Sequence, residues 1–292
     1  MRKFRRETDM TIIQSILLGL LQGIAEFLPI SSSGHLKIVQ YLFDLEEVPL
    51  LFDVMLHLAT LAAVCIFFRK KLCQLIVAFA GLFVRKHGLT EDQAALRNND
   101  RSYIAAVVAA TFVTGVIGVV TKKLIDDDVI SIKATCAGLI VTAVILVLSG
   151  IIEKKKTNVS TDGTVSADMK APTLIQSLVI GFAQGIGTLP GISRSGSTIA
   201  GALFCGVSRS TAGEFSFIVS IPAILGAFIL EAKDLGEVAS TCGIAQLVLG
   251  CAVAFASGYF ALAVLMKLIK KGRLQWFAAY LVPVGIIGLF CF

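Results

Sequence analysis

The chain alternates long apolar blocks with short polar clusters, and block length decides what each can do. Six blocks, at about residues 51–68, 103–121, 133–152, 213–231, 244–266 and 274–292, carry almost no charge. Each approaches the ~20 residues that a helix rising about 1.5 Å per residue needs to cross about 30 Å of hydrocarbon. A seventh block, 72–84, is too short to span comfortably and reads as interfacial or re-entrant.

Two further stretches behave differently. Residues 11–28 and 173–189 are apolar and helix-like, but each runs into a Pro/Gly/Ser loop. A shorter arm then leaves each loop, at about 35–45 and 196–208. Proline and glycine break the first helix and serine caps the second. Neither second arm is long enough to cross. Irregular backbone at membrane depth is tolerated only where it is buried in protein or lines a wet cavity. Both stretches therefore read as re-entrant helix–loop–helix hairpins with tips near the midplane.

The hairpins are copies of one another. Shifted by 162 residues, 11–34 and 173–196 are identical at 12 of 24 positions without a gap. The pattern predicts an all-α integral membrane protein of about six transmembrane helices plus two re-entrant hairpins, arranged as an inverted-topology repeat. Residues 1–152 form the first half, with its hairpin at 11–45. A polar linker covers 153–172, and 173–292 form the second half, with its hairpin at 173–208. The acidic turns at 44–49 and 231–237 read as outside, and the basic clusters at 69–71, 154–156 and 267–273 as inside. That places the first hairpin and both termini outside and the second hairpin inside, with the basic tail on the unexpected side.

Composition strengthens this reading. The 292 residues are 56% hydrophobic and 16% charged, with mean hydropathy +0.84, where a soluble domain carries about 25% charge. The net charge of +6 sits in small groups at block ends, as membrane anchors do, so membrane lipid and not nucleic acid is the expected surroundings. The seven cysteines lie singly, without disulfide-framework or zinc spacing. The basic N-terminus followed by an apolar run superficially resembles a signal peptide, but the run contains the first repeat and reads as retained.

The copies differ where chemistry is expected. The first carries Glu26, Ser32 and His35 where the second has Thr188, Arg194 and Ser197. Ionisable groups at membrane depth are costly and point to function, a structural Glu–Arg pair being the plain alternative. If the loops meet, they form one composite site, and phosphate is the ligand class that suits it. Ser and Gly precede a helix N-terminus in both loops, and Arg194 offers a planar fork for phosphate oxygens. Gln22, Ser31, Ser33, Ser193, Ser195 and Thr198 supply further polar contacts, with Ser197 beside them. His35, one turn beyond Ser32, is placed to serve as its base. Glu26 can orient that histidine or hold a divalent cation.

Other residues weigh less. Asp53 and His57 share a helix face and either line the cavity or satisfy their own helix. Arg209 reads as an interfacial anchor or a phosphate contact, and Glu214 as its partner. His87 reads as a surface residue and Trp276 as an interfacial anchor. Gly19, Gly23, Gly181, Gly185 and Gly201 read as helix-packing contacts.

Gln22-x-x-x-Glu26 followed by FLPISSSGH, and the 190–198 segment PGISRSGST, closely resemble the two signature motifs of bacterial undecaprenyl-diphosphate phosphatases of the bacitracin-resistance type. The resemblance extends over nearly the whole chain, including GVSRSTAGEFSF at 206–217. It implies dephosphorylation of a polyprenyl diphosphate to the monophosphate carrier used for cell-wall glycans. It also implies interlocked inverted repeats in the plasma membrane, a site opening to the outer face, and dependence on Mg²⁺ or Ca²⁺. By position, Glu26 becomes the essential acid, Ser32 the nucleophile (with Ser31, or water directly, as alternatives), His35 the acid–base residue and Arg194 the phosphate-stabilising group. Gln22 stands where many members have Glu, so it is no charged metal ligand. The rival class is a polyprenyl-phosphate flippase, alone or combined with the phosphatase, since broken helices in inverted repeats also build transporters. A homodimer is left open.

Overall fold

A computed structural model of the chain describes residues 10–45, 50–81, 90–124, 131–159, 170–231 and 243–292. Among the described residues every regular element is helical. The first hairpin is α1 (Ile12–Phe27) and α2 (Ser32–Leu42), followed by α3 (Leu50–Phe67), α4 (Arg69–Ala80), α5 (Glu91–Leu124) and α6 (Ile132–Val159). The second hairpin is α7 (Leu174–Ile186) and α8 (Arg194–Phe204), followed by α9 (Arg209–Glu231), α10 (Ile244–Lys270), a 3-10 turn (Leu274–Phe277) and α11 (Ala278–Cys291).

Five segments, from α5, α6, α9, α10 and the 3-10 turn with α11, are long and apolar enough to cross a membrane. A sixth arises if α3 and α4 count as one span, broken by an 80° bend. The blocks expected at 103–121, 133–152, 213–231, 244–266 and 274–292 correspond to the five segments; the 51–68 block, expected to span alone, passes only together with α4, and the described part of the 72–84 block is the second arm of that bent pair. The span within α5 begins at Gln93, earlier than the apolar block alone indicates, because the polar residues ahead of it continue the helix. The basic tail 1–9, the turns at 46–49 and 232–237, His87 and linker residues 160–169 lie outside the described residues, and with them most of the argument for sidedness.

The duplication reappears in three dimensions. Thr11 and Gln14 close a capping box at the start of α1, as Thr173 and Gln176 do at the start of α7. Each satisfies two backbone donors that a helix N-terminus otherwise leaves open. Ser31 caps α2 through Gly34, and Ser193 caps α8 through Gly196. The halves do not pack side by side: they exchange partners, with α1 running along α10 and α7 along α5. The equivalent Gly19 and Gly181 make both contacts possible, the first against the Gly250 backbone and the second against Ala110. Missing side chains let helix backbones approach closely inside a membrane.

This interlock brings the two hairpin tips together. A Cβ on Gly34 would lie 3.2 Å from the Gly191 Cα, and one on Gly196 would lie 3.1 Å from the Pro29 side chain. Gly191 has φ +81°, which L side chains adopt only with strain. Thr142 of α6 pins this second tip, accepting from the Ser193 N–H (2.9 Å) and donating to the Gly191 carbonyl (3.2 Å). Beneath the tips, Phe27 meets Phe217 edge to face at 5.7 Å, closing the site off with apolar core.

Candidate active site

Glu26 lies in the last turn of α1, four residues after Gln22, so the two share a helix face. Gln22 Nε2 donates to Glu26 Oε2 at 3.0 Å, and Ser32 Oγ, at the start of α2, donates to the same oxygen at 2.6 Å. The other oxygen, Oε1, accepts from the guanidinium of Arg194, the first residue of α8. His57 of α3 approaches from a third side, its Nε2 3.6 Å from Oε2. The Glu26 side chain is only 4% exposed, against 21% for Arg194 and 31% for His57, so the cluster opens on the Arg194 and His57 side. An anion entering there meets the arginine first. Removing Arg194 would leave the buried Glu26 charge without its counterion.

The first tip is held in an uncommon conformation. Ser31 has φ 72° and ψ 95°, outside the regions non-glycine residues ordinarily occupy. Its hydroxyl accepts from the Gly34 N–H (3.3 Å), and its carbonyl accepts from the His35 N–H (3.2 Å) and from His35 Nδ1 (2.9 Å). A carbonyl can only accept, so Nδ1 carries the proton. In the neutral ring, Nε2 then accepts from the Tyr280 hydroxyl at 2.9 Å. The two rings also stack, with centroids 5.6 Å apart.

This arrangement corrects the expected nucleophile–base pair. Both His35 ring nitrogens are occupied by Ser31 and Tyr280, and the group that accepts from the Ser32 hydroxyl is the Glu26 carboxylate. The reason is geometric: the turned Ser31 backbone offers its carbonyl to the imidazole, while Ser32 leans back toward α1. Nor does Glu26 orient His35; the histidine at its carboxylate is His57. The spacing of Asp53 and His57 left their role open, and the structure separates them. Gln40 holds the Asp53 carboxylate (2.9 and 3.1 Å), His57 Nδ1 bonds the Asp53 carbonyl (2.8 Å), and His57 Nε2 is left to face Glu26.

The remaining candidates divide into scaffold and bystander. Ser193 caps α8 through Gly196 N–H (3.1 Å) and lies 3.3 Å from the Ser195 hydroxyl, and Thr198 donates to the Arg194 carbonyl at 2.6 Å. These groups shape the loop that presents Arg194. Ser197, the counterpart of His35, is buried, and its hydroxyl has no hydrogen-bond partner among the described residues. Ser33 is exposed and stands outside the cluster. Glu214 lies beside Lys71 and Tyr103, while Arg209 donates to the Lys270 carbonyl at 3.4 Å. Tyr280 was not anticipated: it comes from the last helix, 245 residues from its partner, and no motif surrounds it.

Among the described residues no group of three or more His, Cys, Asp or Glu is arranged to hold a metal ion. In this cluster, however, the buried Gln22 Oε1 has no hydrogen-bond partner among the described residues. Together with Glu26 it does not make an all-protein cage. It does fit a hard cation that keeps several waters and takes its other oxygens from a ligand's phosphates.

Fold and site thus define a multi-pass, all-helical membrane protein in which two copies of one hairpin assemble a single charged cluster. Residues 15–287 match the family model described as bacitracin resistance protein BacA. The undecaprenyl-diphosphatase of Treponema denticola is 46% identical over 95% of this chain and 96% of its own length. That of Desulfosudis oleivorans is 38% identical over 95% and 97%, and undecaprenyl-diphosphatase 2 of Halalkalibacterium halodurans is 35% identical over 97% of each chain. The chain belongs to the bacitracin resistance protein BacA family.

Proposed function

We propose that the protein hydrolyses undecaprenyl diphosphate to undecaprenyl phosphate and inorganic phosphate in the bacterial plasma membrane. This activity recycles the lipid carrier for peptidoglycan synthesis and confers bacitracin resistance. The observation that carries the chemistry is the continuous chain Arg194–Glu26–Ser32, which joins the two hairpins. The polyprenyl tail lies among the helices, and the diphosphate enters on the Arg194 and His57 side, from the outer face.

The terminal phosphoryl group displaces Glu26 from Arg194 and takes over the guanidinium. Ser32 Oγ attacks phosphorus as its proton passes to Glu26 Oε2, forming an O–P bond to serine and breaking the bond to the lipid monophosphate. That leaving group is a phosphate monoester with a second pKa of about 6, so it departs without obligatory protonation. Water then attacks the phosphoserine and the P–O bond to serine breaks; the proton held by Glu26 returns to Ser32 Oγ, and both water protons leave with the inorganic phosphate. His35, locked to Ser31 and Tyr280, holds the strained tip and with it the aim of Ser32. Phosphoryl transfer asks of a protein mainly this positioning and charge stabilisation.

A divalent cation, Mg²⁺ or Ca²⁺, belongs to the same proposal, with Glu26 and Gln22 Oε1 as its protein oxygens. When bound, it supplies further neutralisation of diphosphate charge. Both hairpins come from one chain, so each protomer carries a complete site whether or not it dimerises. The test is phosphate release from undecaprenyl diphosphate by purified protein, with and without EDTA, beside Ser32→Ala. Release that is lost in both conditions supports the reading. Full release by Ser32→Ala would remove the serine nucleophile, and no release by folded wild-type protein would favour a flippase.

A further inference from the structure

Away from the hairpin tips, the spanning segment of α5 is the barest of the five, with only 17% of its most apolar stretch buried. Its outer side, together with Phe79 of α4 and Leu178 of α7, forms a groove of about 680 Å³. The walls are almost wholly apolar. Val108 and Phe112 on its floor are 62% and 71% exposed, an apolar surface of the kind that lipid acyl chains cover in a membrane. At one end of the groove sits Arg101.

Arg101 is unlike the cations around it. Lys71 faces Asp100 at 3.6 Å, and Arg97 donates to the Gly81 carbonyl. Asp100, the carboxylate adjacent in sequence, is already taken by Lys71 and by Gln74 Nε2 at 2.8 and 3.0 Å. Arg101 Nε, shut off from solvent, has no hydrogen-bond partner among the described residues. A guanidinium so placed within a spanning segment is costly unless something anionic meets it. From Arg101 to Phe112 the helix rises about 16 Å, close to the roughly 15 Å depth of one hydrocarbon leaflet. None of Gln22, Glu26, Ser32 or Arg194 lines the groove, so it is separate from the catalytic cluster.

We propose that this groove binds an anionic phospholipid. The phosphate pairs with Arg101, and one acyl chain lies over Val108 and Phe112 between Phe79 and Leu178. The charge selects the headgroup, and the length from Arg101 to Phe112 accommodates the chain.

The test places a reporter in the groove, Phe112→Trp, with the sole native tryptophan removed as Trp276→Phe. Detergent-purified protein is titrated with phosphatidylglycerol or phosphatidylcholine carrying brominated acyl chains, which quench a tryptophan they touch. Half-maximal quenching is expected at about fivefold lower phosphatidylglycerol than phosphatidylcholine, the factor one cation supplies at an anionic lipid. Arg101→Gln should erase that preference and Arg101→Lys restore most of it. Ala105→Glu, which sets a carboxylate one turn from Arg101, should erase it by neutralising the arginine in place, and decides the matter if Arg101→Gln misfolds. Equal quenching by both lipids, or a preference that survives loss of the charge, overturns the proposal. Failure of either lipid to quench would mean that protein, such as a second copy, covers the groove, and displacement by equimolar polyprenyl phosphate would make the substrate lipid its occupant. Both results also overturn it.

Discussion

Ser32 and His35 lie within one turn of α2 but serve different partners, and that division sets the residue-scale expectations. His35 reaches Tyr280 and Ser31, so Tyr280→Phe should weaken the hold on the strained tip without touching the reacting atoms. Loss of one hydrogen bond of about 1 kcal/mol predicts a roughly fivefold fall in kcat with KM little changed. A loss a hundred times larger in steady-state kinetics would instead make the tyrosine part of the chemistry. The sequence made Glu26, Ser32 and Arg194 legible because each is an ionisable or nucleophilic group stranded in an apolar hairpin. It could not assign the Ser32 hydroxyl to Glu26 rather than to His35. That assignment depends on Ser31 adopting φ 72°, and a serine in a loop gives no sign of such a conformation. The position of His57 was similarly hidden: its spacing from Asp53 is a fact about one helix, whereas its approach to Glu26 depends on how α3 packs against α1.

At the scale of elements, the hairpins work because small residues let backbones touch. Gly191 combines φ +81° with a position where a Cβ would run into the Thr135 carbonyl. Gly191→Ala should therefore cost about 1–2 kcal/mol from the left-handed backbone alone, read as a lowered melting temperature, and should misplace Arg194. An unchanged melting temperature would mean that the tip relaxes freely. The helix-breaking loops, the caps at Ser31 and Ser193, and the packing glycines were all readable from local chemistry, since each is specified within a few residues. The 80° bend between α3 and α4 was not. No proline or glycine stands at Phe68, and the charged run that follows marks an end of apolar sequence without fixing a direction.

Across the whole molecule, the consequence of the duplication is interlock. The gapless 162-residue offset revealed two equivalent halves, but not that α1 would pack along α10 and α7 along α5, because pairing between distant apolar helices leaves no local signature. Neither half can then bury its own hairpin. Residues 1–159 or 160–292 expressed alone should be unfolded or degraded, whereas the two co-expressed should restore phosphate release. A stable, compact half on its own, judged by size-exclusion chromatography and helix content, would contradict the exchanged packing.

The central claim is that Glu26 from one hairpin and Arg194 from the other act as a single catalytic unit. It is tested most directly by a double-mutant cycle on kcat/KM for phosphate release, with Glu26→Gln, Arg194→Gln and both together. Each single substitution is expected to lower kcat/KM about 10²–10³-fold, as loss of a transition-state charge contact does. The double variant should be little worse than the poorer single one, because groups acting as a unit are strongly non-additive. Losses that simply multiply, or a single variant with near wild-type activity, would contradict a site shared between the two halves.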